Sequence, residues 1–462
     1  MTFPRYPEYM NSCVEWIGQV PVHWGVERLK VSVKTCRNGV WGNEANGNKD
    51  DIPCVRVADF DRTKLEVQHE VPTIRNVTEK EQLNRTLSKG NLLIEKSGGG
   101  ENQPVGCVVL YNSTHKAVCS NFVAKIELAP KMDPSFWRYV HSAAYSIRLT
   151  IGSINQTSGI QNLDQDRYFN ERAAYPPLNE QILIAKFLEI ETAKIDLLVT
   201  EQGKLIELLK EKRQAVISHS VTKGLNPNVN KKESGNSWLN EVPENWIVGR
   251  LKHIKSKEKN SFVDGPFGSN LKSEHFIEGG DVYVIESNFA TQGLLEPENL
   301  KTISFKHFET IDRSEVRSGD IVIAKIGAQY GKSSILPNID KRAVVSGNSL
   351  KLTVNQDVVD VNFVNWFLVN LKSLGVIEDI VNATAQPALS LGELNNLPML
   401  IPPLKEQQII VEYLEVALNK FQSLIDEANT NINLLKERRS ALITAAVTGQ
   451  IDLRNYQKKE VA

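Results

Sequence analysis

The chain has 462 residues, a formal net charge of −1, 41% hydrophobic and 24% charged residues. That length holds two or three domains with their own cores, and the composition excludes a fibrous, disulfide-framework or disordered chain. No apolar run approaches the roughly 18 residues of a membrane span, and Met1–Arg5 shows no basic-then-apolar leader, so a cytoplasmic protein with no membrane partner is expected. Near-neutral charge neither favours nor excludes nucleic acid, whose binding would need a local basic surface.

Residues 1–30 carry a short motif, Trp16-Ile17-Gly18-Gln19-Val20-Pro21 with Trp24 and Leu29-Lys30. Residues 31–175 follow, a stretch of strand-like alternation such as Pro53–Val57 interrupted by Gly/Asn-rich turns. Within it lie a polar glycine segment, Arg37 to Asn43, a strand Gly90 to Lys96 with a glycine-rich loop after it, and Ser120-Asn121. Tyr175-Pro176-Pro177-Leu178-Asn179-Glu180-Gln181 then opens a long helix, giving 176–224 as a spacer; paired prolines suit a first helical turn, whose amide would be unbonded anyway.

Residues 225–247 form a linker in which the opening motif returns as Trp238-Leu239-Asn240-Glu241-Val242-Pro243 with Trp246, followed by Leu251-Lys252, an offset of 222. A second variable segment, 248–401, repeats the landmarks: Asp264 to Lys272, then Gly319 to Lys325, then Ser346-Gly347-Asn348. Pro402-Pro403-Leu404-Lys405-Glu406-Gln407 opens a second helix, 402–448, matched to the first at an unbroken offset of 226, before a tail at 449–462. One domain plan therefore occurs twice, which at so long a period is a tandem duplication and not a solenoid.

Both helices carry an apolar stripe in steps of three and four. Ile184, Leu188, Ile195, Leu198, Leu205, Leu209 and Val216 answer Ile410, Leu414, Phe421, Leu424, Asn431, Leu435 and Leu442, with the polar Asn431 interrupting the second copy. One seam in one register argues for helix against helix. About 40 residues, roughly 60 Å at 1.5 Å per residue, exceeds what a single domain needs, so a rigid spacer is expected.

The loop after each matched strand is the place for contacts. In the first copy Lys96, Ser97, Gly99, Asn102 and Gln103 combine amide and basic groups with a backbone that glycine lets approach closely. Asn and Gln suit adenine edges and Lys suits guanine or phosphate. The second-copy loop supplies Lys325, Gln329, Tyr330 and Lys332. It misses the phosphate-binding P-loop pattern, because three residues and not four separate Gly327 from Gly331. Arg37, Asn38 and Asn43 in the first glycine segment, Ser269, Asn270 and Lys272 in the second, and Asn121 and Asn348 in the following turns complete the candidate DNA contacts. Trp41 and Phe267, within the same segments, are expected as core anchors.

All five cysteines, Cys13, Cys36, Cys54, Cys107 and Cys119, fall in the first copy, without a Cys-x-x-Cys pair. A shared zinc site or disulfide frame would occur in both copies, so reduced structural cysteines and no metal site are expected. Zinc-protease, hydrolase-elbow and dinucleotide signatures are missing, as are an Asn-Pro-Pro-aromatic segment, a nuclease centre and helicase motifs. No catalytic residue is assigned.

The order Trp-Ile/Leu-x-x-Val-Pro-x-x-Trp, variable domain, Pro-Pro-Leu-x-Glu-Gln helix, then the same again ending Val447-Thr448-Gly449-Gln450-Ile451-Asp452-Leu453, resembles the specificity subunit of type I restriction–modification systems over essentially the whole chain. The resemblance implies an α+β fold: two mixed α/β target-recognition domains separated by two long antiparallel helices, a pseudo-two-fold tandem repeat. Each domain would read one half of an asymmetric, interrupted site on double-stranded DNA, and the helices would set the gap. Two modification subunits would dock on the helices, bringing S-adenosylmethionine and methylating adenines on opposite strands, a task that needs two-fold-related partners. Two restriction subunits would add translocation and cleavage driven by ATP with Mg. The chain itself would bind no cofactor. A methyltransferase-only complex and a coiled-coil protein-binding scaffold are the alternatives.

Overall fold

The computed structural model describes residues 3–157, 159–236, 238–381 and 388–456; Met1, Thr2 and the end of the tail lie outside them. The chain divides into two compact units, Met1–Lys204 with Asn429–Ala462, and Leu205–Ala428. Each long helix, Leu178–Lys223 and Leu404–Val447, therefore contributes its first part to one unit and its last part to the other.

The duplication is legible in strand order even where the sequences have diverged. In the first unit a sheet runs Val33–Asn38, Val123–Leu128, Leu92–Glu95, Val108–Leu110 and on to two short strands. In the second, Phe262–Asp264, Ser349–Leu352, Ile321–Ala324 and Ser333–Ile335 take the same order. A second sheet in each unit pairs one strand parallel to a later one and antiparallel to a nearer one: Asp51–Val55 with Val118–Cys119 and Ile74–Asn76, and Val282–Ile285 with Arg342–Val345 and Lys301–Ile303. Central strands such as Leu92–Glu95 and Ile321–Ala324 are buried throughout, as strands covered on both faces must be. A helix, Pro134–Ser146 or Val361–Ser373, caps each domain and starts at an Asp whose side chain accepts a helix amide.

Matched positions exchange charge while keeping the same function. Lys125 and Lys351 are both buried. Lys125 pairs with Glu127 at 2.8 Å, whereas Lys351 pairs with Asp320 at 3.5 Å and donates to Thr353 at 3.1 Å. Thr353 stands where the first copy has Glu127, and Asp320 where it has Asn91. The carboxylate has moved, but each buried ammonium keeps one, as the cost of an unpaired buried charge requires.

The Pro-Pro-Leu-x-Glu-Gln motif locks each helix to its domain. Glu180 accepts Trp24 Nε1 at 3.1 Å and Tyr6 Oη at 2.8 Å; Glu406 accepts Trp246 Nε1 at 3.0 Å and Asn245 Nδ2 at 3.3 Å. Gln181 accepts the Asp133 amide at 2.9 Å and donates to Pro176 O, and Gln407 accepts the Asp360 amide at 2.8 Å and donates to Pro402 O. The tryptophan thus seats the opening motif, and the glutamine ties the helix start to the capping helix. The residue ending each helix closes the ring of contacts from the other copy. Gly449 (φ +78°) lies against Trp24 and Pro21, and Gly224 (φ +72°) against Trp246 and Glu406. Both are left-handed helix ends, where glycine costs least.

Within each unit the helical stretches run antiparallel. In the first, Gly449 lies beside Trp24, which holds Glu180, while Arg439 Nε bonds Asp196 Oδ1 at 2.9 Å. In the second, Ile217 and Val221 share a core with Ile410, Val411, Leu414 and Leu418. The seam follows Ile184, Leu188, Thr192, Ile195, Val199, Gln202, Ile206, Leu209 and Arg213, and Ile410, Leu414, Leu418, Phe421, Ile425, Ala428, Ile432, Leu435 and Arg439, all buried or half-buried and all at an offset of 226. Val216 and Leu442 are half-buried at its flank. Three sequence-assigned seam residues are corrected: Leu198, Leu205 and Leu424 are 49%, 42% and 39% exposed. Each precedes the seam residue by one position, about 100° around a 3.6-residue helix. Hydrophobicity led the assignment to leucine where the step pattern selects Val199, Ile206 and Ile425.

All five cysteines are free, with Cys54, Cys107 and Cys119 buried. Burial pushes Cys54 and Cys107 up to about 11 and Cys36 and Cys119 to about 12, so these thiols stay protonated and unreactive. Among the described residues no helix is long and apolar enough to cross a membrane.

Candidate nucleic-acid interface

Three loops converge in each domain, and backbone bonds set them identically. The glycine segment is fixed first. Gly39 N donates to Val123 O at 2.9 Å and Gly265 N to Ser349 O at 3.0 Å. A Cβ on Gly39 would stand 2.1 Å from Cys119 O, and one on Gly265 1.9 Å from Ser346 O, so only glycine lets this backbone lie on the next loop. The loop after the central strand is fixed second: Lys96 N donates to Phe122 O and Lys325 N to Asn348 O, both at 2.8 Å. The strand or bridge that follows closes it, with Leu163 N donating to Lys96 O at 2.8 Å and Leu389 N to Lys325 O at 3.0 Å. The scaffold is common and the side chains it carries differ.

In the first domain Ser97, Gly99 and Asn121 line one concavity of about 420 Å³ together with Trp41, Arg56, Glu95 and Phe122. Gly99 (φ +62°) turns where a Cβ would meet Val105 N at 2.8 Å. Ser97 Oγ donates to Asn162 Oδ1 at 2.6 Å. Lys96 is half-buried, and Asn102 and Gln103 are exposed on the hairpin tip, closed by Gly100 N to Gln103 O at 2.9 Å. Arg37 and Asn38 are exposed at the end of their strand, with Asn38 Oδ1 accepting Gln165 Nε2 at 3.4 Å. Asn43 is exposed on a short strand pairing with Asn76. Glu95 forms the floor of the concavity; it is buried and paired with Arg62 at 2.8 Å. Burial pushes its carboxyl above the ordinary glutamate range, against the pull of Arg62.

In the second domain Ser269, Asn270, Lys272, Gln329, Lys332 and Asn348 are exposed. Lys325 is held by Asp264 at 3.1 Å, and Arg313 reaches the same carboxylate at 3.0 Å, so its charge is partly spent within the protein. Its counterpart Lys96 has Asn38 at the position of Asp264 and no ion pair among the described residues. Tyr330 turns away from this cluster: it is half-buried against the domain core with Lys372 Nζ 4.1 Å from its ring centroid. A tyrosine so engaged supports the loop and is removed from the surface set.

Trp41 and Phe267 correct a further expectation. They are 38% and 68% exposed, not core anchors, because the glycine two residues earlier pins the backbone on the neighbouring loop and the chain must then turn outward. Arg75 holds Trp41 in place: its guanidinium lies 4.4 Å from the ring centroid and donates to Trp41 O at 3.0 Å and Gly42 O at 3.1 Å. Arg56, Arg75 and Phe122 escaped sequence reasoning altogether. The offset of 226 between Gly39 and Gly265, and hence between Trp41 and Phe267, is the signal that marks the two aromatic residues.

The type I restriction modification DNA specificity domain family matches residues 244–434. The type I restriction enzyme MjaVIII specificity subunit of Methanocaldococcus jannaschii is 24% identical over 347 residues, 74% of this chain and 76% of that protein. Among solved structures, a chain from work on complex assembly and conformational transition of the type I R-M system superposes with a TM-score of 0.70 at 15% identity, covering 93% of this chain and 98% of that one. The HsdS subunit of Thermoanaerobacter tengcongensis gives 0.55 at 15% identity, covering 94% and 98%. Family match, relative and fold agree with the duplicated architecture, and the chain is similar in sequence and in fold to the specificity subunits of type I restriction–modification systems.

Proposed function

We propose that the segments 31–175 and 248–401 are the two target-recognition domains, each reading one half of a bipartite site in duplex DNA. The chain associates with DNA and with the other restriction–modification subunits; two modification and two restriction subunits is the stoichiometry the duplication favours. S-adenosylmethionine, ATP and Mg belong to those partners. The observation that carries this reading is the pair of identical loop scaffolds bearing different side chains. Arg37, Asn38, Asn121 and Lys96 answer Val263, Asp264, Gly347 and Lys325 on one backbone, as two readers of different sequences would.

Two identical partners need two equivalent surfaces. The helices offer large apolar side chains exposed at matched positions: Ile190 and Val416, Leu198 and Leu424, Leu208 and Leu434. Leucines displaced from the seam thus fit a docking face for the modification subunits.

The helices also set the gap between half-sites. Inserting seven residues after Gln202, and seven after the matching Ala428, lengthens each helix by about 10.5 Å and keeps the seam phase. At about 3.4 Å per base pair the favoured gap grows by about three pairs, which also rotates the far groove by roughly 100° and weakens binding. Methylation of sites with gaps varied one pair at a time tests this. An optimum that stays put with activity retained shows that the helices are not the ruler.

A further inference from the structure

Large aromatic side chains are usually buried, yet the two domains each expose one at the same position of an otherwise divergent loop. Gly39 and Gly265 are the pinned residues, and Trp41 and Phe267 are what the pinned backbone throws outward. Trp41 is ordered by the Arg75 guanidinium on its face, and with Phe122, itself 44% exposed, it lines the 420 Å³ slot. On the slot Arg56 is held 3.7 Å from Asp59 and Glu95 is paired with Arg62, so the Arg75 guanidinium over the Trp41 ring is the cation left beside the aromatic face, which favours a polyanion over an apolar protein partner. On the major-groove edge of a duplex only thymine presents an apolar group, its 5-methyl.

We propose that Trp41 and Phe267 are specificity-determining contacts, each taking the 5-methyl group of one thymine in its own half-site. The proposal rests on the reading that each domain recognises one half of the site. In the first domain the methyl enters between Trp41 and Phe122. Asn121 and Ser97, on the same slot, are left to meet polar base edges beside it. In the second domain the more exposed Phe267 makes the contact.

The test uses the specificity subunit assembled with its modification subunits and duplexes of the site located by adenine-methylation mapping. Each thymine is replaced singly by deoxyuridine, which deletes the methyl and no hydrogen-bonding group. One position in each half-site is expected to lose about fourfold in affinity, the worth of one buried methyl. In Trp41→Ala the first-half response disappears and the second remains; in Phe267→Ala the reverse holds. Trp41→Phe, which keeps an apolar ring, retains a response and controls for misfolding. The proposal is overturned if no methyl matters while A·T to G·C exchange at the same positions still abolishes binding, or if the methyl response survives in the alanine variants. If G·C exchanges in a half-site are also without effect, the half-site reading fails with it.

Discussion

Trp24 and Glu180, 156 residues apart, meet through an indole N–H to carboxylate bond of 3.1 Å, and Trp246 and Glu406, 160 residues apart, repeat it at 3.0 Å. The bond joins the opening motif of each copy to the first turn of its own helix, and the helix end of the other copy, at Gly449 or Gly224, packs on the same indole. Glu180 has the larger task. It is buried and also accepts Tyr6 and contacts His23 at 2.8 Å. Glu180→Ala leaves buried donors unpaired and is expected to destabilise the first unit by about 3 kcal/mol, with Glu406→Ala about half as costly. Glu180→Gln keeps an acceptor for Trp24 and costs less than either. Urea midpoints of the three variants give the order.

Gly449→Ala should be more damaging than Gly224→Ala. Both positions have positive φ, a backbone penalty of about 1 kcal/mol for alanine. The new Cβ at Gly449 would in addition stand 2.4 Å from the Pro21 ring, whereas at Gly224 the nearest atom is Glu406 Oε1 at 3.1 Å. Thermal unfolding of the two single variants checks the ranking.

Among the described residues an ion pair between the helices occurs at one of two matched positions. Arg439 Nε meets Asp196 at 2.9 Å, but the residues matching them at an offset of 226 are Arg213 and Gln422, and Arg213 Nε is buried without a hydrogen-bond partner. Gln422→Asp is expected to supply the missing carboxylate and stabilise the second unit by about 0.5 kcal/mol, because it also gives up the Gln422 Nε2 to Asp426 Oδ1 bond of 3.0 Å and sets two carboxylates four residues apart. In a double-mutant cycle, Gln422→Asp in an Arg213→Ala background should lose that gain.

His141 is fully buried, its Nδ1 bonded to Tyr168 Oη at 2.8 Å, and burial depresses its pKa from 6.5 to about 4. The unfolded chain takes up a proton below its ordinary pKa, whereas the folded chain does not until near 4. Stability from this group is therefore present at neutral pH and is lost as pH falls from about 6.5 to about 4, up to about 3 kcal/mol in all. His141→Asn, which keeps a partner for Tyr168, should flatten the difference in unfolding free energy across that window. An unchanged slope would assign the acid sensitivity to other groups.

Repetition made the fold legible. Glu180 and Glu406, Gln181 and Gln407, and Gly449 and Gly224 are readable as pairs because the helices have kept one register and each residue binds the same neighbour twice. The candidate site was legible only as a set of loops. Lys325 is paired with Asp264 and Tyr330 is packed on the core, and neither fact follows from residue type. Leu198, Leu205 and Leu424 misled because leucine signals burial, while the helix places them one step from the seam. Trp41 and Phe267 misled for the converse reason: a pinned glycine, visible only once strands are paired, overrides an aromatic residue's preference for the interior.

The division of labour between the domains has the most direct test. Residues 31–175 are exchanged for the corresponding segment of a relative with a known, different site, the complex is assembled with its modification subunits, and adenine methylation is mapped at base resolution. The expected result is a new first half-site with the second half-site and the gap unchanged. A change in both halves, or in neither with activity retained, would contradict independent reading by the two domains.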